Sequence, residues 1–139
     1  MGVMLSADLI VAERTTKFVT AYVGIGLNPD CGVSWLLPRA VGQPRALELL
    51  LNGRVLDGDE ALDWGLVTQV VDEDAAGTAL ELARRLAQGP VGALGQSRRL
   101  ARESWALDRA TSGADEAATI AHRVATPEAE ALIEAFLRR

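Results

Sequence analysis

Gly24, Gly26, Asn28, Pro29 and Gly32 fall within the single window 24–32, and no chain carrying them there can hold one helix or strand across it. The window separates the apolar, β-branched run Phe18-Val19-Thr20-Ala21-Tyr22-Val23 from a second apolar stretch, Val33–Ala40. The backbone must therefore turn irregularly between two segments that each want burial. The turn carries one acid, Asp30, in a Pro-Asp-Cys-Gly sequence.

Around this window the chain changes character near residue 72. Before it, short β-branched runs alternate with helical ones; after it almost everything reads as helix. Leu9-Ile10-Val11-Ala12 and Phe18–Val23 are predicted as strands, with the polar stretch 13–17 short enough for a hairpin connection. Met1–Asp8 reads as a stub of helix. Val33–Ala40 is predicted as a short helix that Pro38 distorts or ends. Pro44–Leu51 is a better one, with Pro in its first turn and Asn52-Gly53 as its stop. Asp57 and Glu60 form a capping-box pattern for a helix over Gly58–Trp64, ended by Gly65. Leu66–Val71 is strand-like. Helices are predicted at about 73–88, 90–106, 108–124 and 127–138, with breaks at Gly89-Pro90 and Thr126-Pro127. Such short, one-striped helices need a surface to pack on. Either another subunit or further polypeptide supplies it.

Composition sets bounds on function. Of the 139 residues, 49% are hydrophobic and 24% charged, as expected of a folded globular domain. The formal charge of −5 offers no footprint for nucleic acid or anionic lipid. No apolar run approaches the ~20 residues of a membrane span, and the first residues lack the pattern of a secretory signal. A cytoplasmic location is the expectation. One cysteine and one histidine leave no internal disulfide and no His/Cys metal site. No metal or cofactor is expected.

Among residues able to do chemistry, Asp30 comes first. Its neighbours Leu27, Pro29, Cys31 and Val33 are apolar, so a buried setting is expected. Burial would suit a carboxyl to moving protons near neutral pH. Helix-opening N–H groups from Cys31 and Gly32 would instead favour its ionised form. A plain N-cap of the following helix is the bland alternative. Ile25 and Trp35 are candidate pocket walls or plain core. Tyr22 is a candidate hydrogen-bond donor, or a strand tyrosine used for packing. Cys31 has no base beside it in sequence, His122 being distant, and Arg98, Arg99 and Arg102 read as a solvated helix face.

A strand-like run followed by IGLNPDCG (25–32) and then WLLPRAVG (35–42) resembles the enoyl-CoA hydratase/isomerase (crotonase) superfamily. So does the block LLNGRVLDGDEALDWGLVTQVV (50–71). The resemblance is detailed over 1–71 and only helical over 72–139. Its wording is nearest to the ring-epoxide phenylacetyl-CoA isomerases and the dienoyl-CoA isomerases. It implies an α/β fold: the C-terminal half of a crotonase-like ββα spiral core (1–71) followed by a helical oligomerisation region (72–139). It implies an acyl-CoA thioester as substrate, coenzyme A being part of that substrate, and assembly into a trimer or hexamer.

The resemblance also assigns roles. Asp30 matches the carboxylate that shuttles a proton along an acyl chain as an enolate forms. The two glutamates of the family's hydratases would fall at Gly2 and Tyr22, where no acid stands, which favours isomerisation over hydration. Phe136, with Arg138 and Arg139, resembles a C-terminal group that approaches the coenzyme A of a neighbouring subunit, although Ala131-Leu132 departs from the usual wording. The family's two backbone oxyanion donors lie before Met1. Because losing one such donor typically costs roughly 100- to 1000-fold in rate, the chain alone is expected to be nearly inactive. A hydratase, or a non-catalytic fragment or subunit, are the competing readings.

Overall fold

A computed structural model describes residues 1–138 of the chain. Arg139, named above with Phe136 and Arg138, lies outside the described residues. The chain divides into two compact units, 1–81 and 82–139.

The first unit opens with one short helical turn, α1 (Gly2–Leu5), and the strand β1 (Val11–Glu13). β1 pairs in parallel with β2 (Gln69–Val71), Val11 opposite Gln69 and Glu13 opposite Val71. A parallel pair needs a long crossover. Here it contains α2 (Val33–Val41), α3 (Gln43–Asn52) and α4 (Gly58–Asp63). Thr68 locks the entry to the sheet: its hydroxyl accepts from Ile10 N at 2.9 Å and donates to Ile10 O at 2.8 Å.

Two sequence expectations are corrected here. Residues 13–17 do not join a hairpin, because β1 finds its partner more than fifty residues on. The run 18–23 is not a strand either. Phe18 makes one antiparallel bridge to Leu56, with reciprocal N–H to O distances of 2.9 Å, and the chain then enters a 3-10 turn at Val23–Ile25. Thr20 is buried instead of continuing a ladder, and its hydroxyl donates to Leu49 O at 2.6 Å. Local β propensity gave way to side-chain packing against α3.

The core forms where helical periodicity demands. Val33, Leu37 and Val41, four residues apart on α2, face Ala46 and Leu49 of α3, with Leu5, Ala12, Phe18, Leu56, Ala61, Leu66 and Val67 completing the cluster. Pro38 lies inside α2 without ending it; the carbonyl it leaves unpaired belongs to the exposed Ser34 and can bond water. The capping box at α4 is present as expected. Asp57 Oδ1 accepts from Glu60 N at 3.0 Å, and Glu60 Oε2 accepts from Asp57 N at 3.4 Å.

α5 (Ala75–Ala87) runs across the division between the units. The second unit holds α6 (Val91–Glu103), α7 (Arg109–Val124) and α8 (Pro127–Leu137). Asp108 caps α7 and Thr126 caps α8. α6 and α7 are joined by Arg99, which grips Asp115 with two bonds of 2.7 and 2.9 Å and also donates to Thr119 and Glu103. None of the described residues of this unit is buried. Ile120, Val124, Leu132 and Phe136 are all more than half exposed. None of the helices among the described residues is long and apolar enough to cross a membrane.

Candidate active site

The turn that presents Asp30 is built from the backbone outward. Cys31 (φ 48°) and Gly32 (φ 78°) are successive residues in the left-handed region. That conformation suits glycine but strains a residue with a Cβ. It brings Val33 N to within 3.0 Å of Asp30 O, so the main chain of Asp30 is tied to the first residue of α2, whose side chain is wholly buried.

α1 packs against the turn. A Cβ built on Gly2 would lie 2.6 Å from Cys31 O and 2.7 Å from Cys31 Cβ. Such distances are well inside contact, so position 2 tolerates no side chain while the turn keeps this shape. The sequence offered one signal for this contact: glycine stands where the resemblance would put an acid.

The Asp30 side chain is neither buried nor a helix cap. It is exposed, and α2 is preceded by Gly32 with no side-chain cap. The expected apolar burial does not occur in this chain: of its apolar neighbours in sequence, Leu27 and Cys31 are themselves exposed and Pro29 is half-buried, and only Val33 enters the core. Instead Asp30 Oδ1 accepts a hydrogen bond of 2.8 Å from the Tyr22 hydroxyl. The Tyr22 ring packs on the core while its hydroxyl reaches the turn. The bond to the Asp30 carboxylate raises the tyrosine above its ordinary titration range, since ionising the phenol would break that bond and set two negative charges side by side. Partial burial and the Cys31 thiol push the same way.

Of the residues singled out in sequence, the structure thus joins Tyr22 and Asp30. Ile25 follows in the 3-10 turn, 72% exposed, and Trp35 lies on α2, 51% exposed, with the Arg39 guanidinium 3.8 Å from its ring centre. Phe136 belongs to the other unit, on α8, and is 74% exposed. Four open grooves of about 760, 480, 470 and 330 Å³ are lined by residues of the helical unit, and Asp30 is in none of them. No group of His, Cys, Asp and Glu able to hold a metal occurs among the described residues.

The enoyl-CoA hydratase/isomerase family model matches residues 1–137. The chain belongs to the enoyl-CoA hydratase/isomerase family. Among relatives, it is 48% identical over 92 residues to the 1,2-epoxyphenylacetyl-CoA isomerase of Escherichia coli, covering 66% of this chain and 35% of that protein. It is 34% identical over 130 residues to the mitochondrial methylglutaconyl-CoA hydratase of Mus musculus, covering 89% of this chain and 41% of that protein. Among solved structures, an enoyl-CoA hydratase/isomerase from Cupriavidus metallidurans superposes with a TM-score of 0.89 at 39% identity, over 99% of this chain and 52% of that one. The fold is therefore crotonase-like, and the chain spans about half the length of its solved neighbour and less of these relatives.

Proposed function

We propose that this chain carries the proton-transfer carboxylate of an acyl-CoA isomerase, with Asp30 moving a proton between two carbons of a thioester-activated acyl group. In that step a C–H bond adjacent to the conjugated system breaks, the proton passes to Asp30, and the electron pair is held as an enolate on the thioester oxygen. Return of the proton to a different carbon completes a double-bond isomerisation with no net gain or loss of atoms.

The observation that carries this reading is a lone carboxylate. Adding water across a double bond calls for groups that both activate water and deliver a proton. Of the two places where the resemblance would put those acids, one is a tyrosine, and the other has its side-chain space filled by Cys31. Similarity to a protein named as an epoxyphenylacetyl-CoA isomerase supports the same choice.

In this reading the acyl cleft beside Asp30 is closed, and the enolate oxygen held, by the half of the fold that the solved neighbour has beyond this chain. Ile25 and Trp35 line the acyl side, and Phe136 meets the coenzyme A of a neighbouring copy. The helical unit packs against sister copies in a trimer or hexamer. The chain alone turns over little or nothing.

The test is Asp30→Asn. It is assayed on unsaturated acyl-CoA substrates in the chain and in a fusion to the portion of the Cupriavidus metallidurans protein that this chain leaves uncovered. Turnover in the fusion should fall by about 100-fold or more, the scale of a lost general base. Undiminished turnover removes Asp30 from the reaction. A fusion that folds, binds acyl-CoA and does not isomerise it counts against the activity itself.

A further inference from the structure

We propose that Tyr22 is a positioning residue for Asp30 rather than a substrate contact: its phenol occupies one carboxylate oxygen, so that the other is the one presented for proton transfer. The inference rests on the reading of Asp30 as the base.

Four features of the geometry support it. Tyr22 donates to Asp30 Oδ1 at 2.8 Å, while Oδ2 has no partner among the described residues. The donor is itself fixed, because the Tyr22 ring packs on the core and its carbonyl accepts from Ile25 N at 3.1 Å and Leu27 N at 2.9 Å. The Asp30 main chain is fixed as well, by Val33 N and the left-handed pair Cys31-Gly32. The remaining freedom of the carboxyl is its side-chain rotation, which a charge-assisted bond from a rigid donor removes. A tyrosine so engaged must release Asp30 before its hydroxyl can donate to a substrate.

The pair is open to direct measurement because Tyr22 is the chain's single tyrosine. Its ionisation can be followed without interference by the Cζ resonance of carbon-13-labelled tyrosine, or by tyrosinate absorbance, with circular dichroism recorded in parallel to confirm that the fold persists. The groups facing the phenol are Asp30 and, more weakly, Cys31. In the intact chain the tyrosine should titrate above its ordinary value, and Asp30→Asn, with Cys31 retained, should bring it down. Tyr22→Phe in the active fusion should lower kcat by about tenfold, the loss of one hydrogen bond to a charged group. KM should barely change, as a substrate-binding role would not predict.

A tyrosine titration that Asp30→Asn leaves unmoved overturns the pairing. A lowered titration combined with wild-type kcat in Tyr22→Phe overturns the positioning role and leaves Asp30 as base. A raised KM at constant kcat returns Tyr22 to the substrate. Wild-type turnover in Asp30→Asn is a different failure, that of the base itself.

Discussion

At the level of single residues, the Asp30 turn depends on a side chain that is missing. Cys31 sits at φ 48° although it has a Cβ. A non-glycine residue in that region costs on the order of 1–2 kcal/mol unless its surroundings hold it there. Part of those surroundings is α1, whose Gly2 lies directly against the Cys31 carbonyl and Cβ. Gly2→Ala forces a methyl into occupied space and should destabilise the first unit by about 1–3 kcal/mol, the usual cost of overpacking, read as a lower urea midpoint. Because the turn must then shift, the Tyr22 titration should also fall toward its ordinary range. Cys31→Gly, which relieves the strain and keeps the contact free, should stay within about 1 kcal/mol of the parent. Equal stability for Gly2→Ala and the parent would show that α1 does not hold the turn.

At the level of elements, what the sequence revealed and what it hid separate along the range of the interactions. Helix ends were legible because they are encoded within a few residues: Asp57 with Glu60, Pro44 in a first turn, Gly53 in a left-handed stop, and Pro127 after its Thr126 cap. Strand pairing was not, because the partner of β1 lies beyond three helices, and the apolar run 18–23 gave no sign that Thr20 would turn inward to α3. Asp30 stood out in sequence as a candidate. Its bond to Tyr22 did not, since a separation of eight residues across an irregular turn matches no periodicity.

The Arg99 network was likewise hidden, its three arginines reading as a solvated face. In the structure Arg99 hydrogen-bonds Asp115 from α6 to α7 and lowers the titration of that carboxyl below its ordinary value. A group depressed in the folded state contributes stability that is complete above its unfolded titration range, near pH 4, and is lost as pH falls through the lower folded value. Asp115→Asn should therefore flatten the acid limb of the unfolding curve below about pH 4, with the size of the effect reduced by solvent screening. An acid limb identical to the parent's would mean that the pair adds nothing to folding.

For the whole molecule, the decisive quantity is how much apolar surface the described chain leaves in water. The first unit exposes Val3 at 83%, Ile25 at 72% and Leu27 at 58%. The second exposes Ile120 at 67%, Phe136 at 74% and Leu137 at 76%, and has no buried residue among its described ones to anchor it. Helices of 11 to 16 residues are marginal in water on their own and are ordinarily held by packing of their apolar stripe. The grooves on α6 and α7, lined by Leu100, Ala117 and Ile120 among others, are the places where such packing is open. Association between copies through these helices, as proposed above, would account for both facts, and it is separable from the proton transfer proposed for Asp30. Sedimentation velocity over a range of concentrations should show reversible self-association. Ile120→Glu, a change at an exposed helix position, should weaken it by about tenfold, ~1.4 kcal/mol, while helix content and the Tyr22 titration stay as they were. If the parent chain sediments as a single monomeric species at every concentration with its helices intact, the second unit is stable without sister copies.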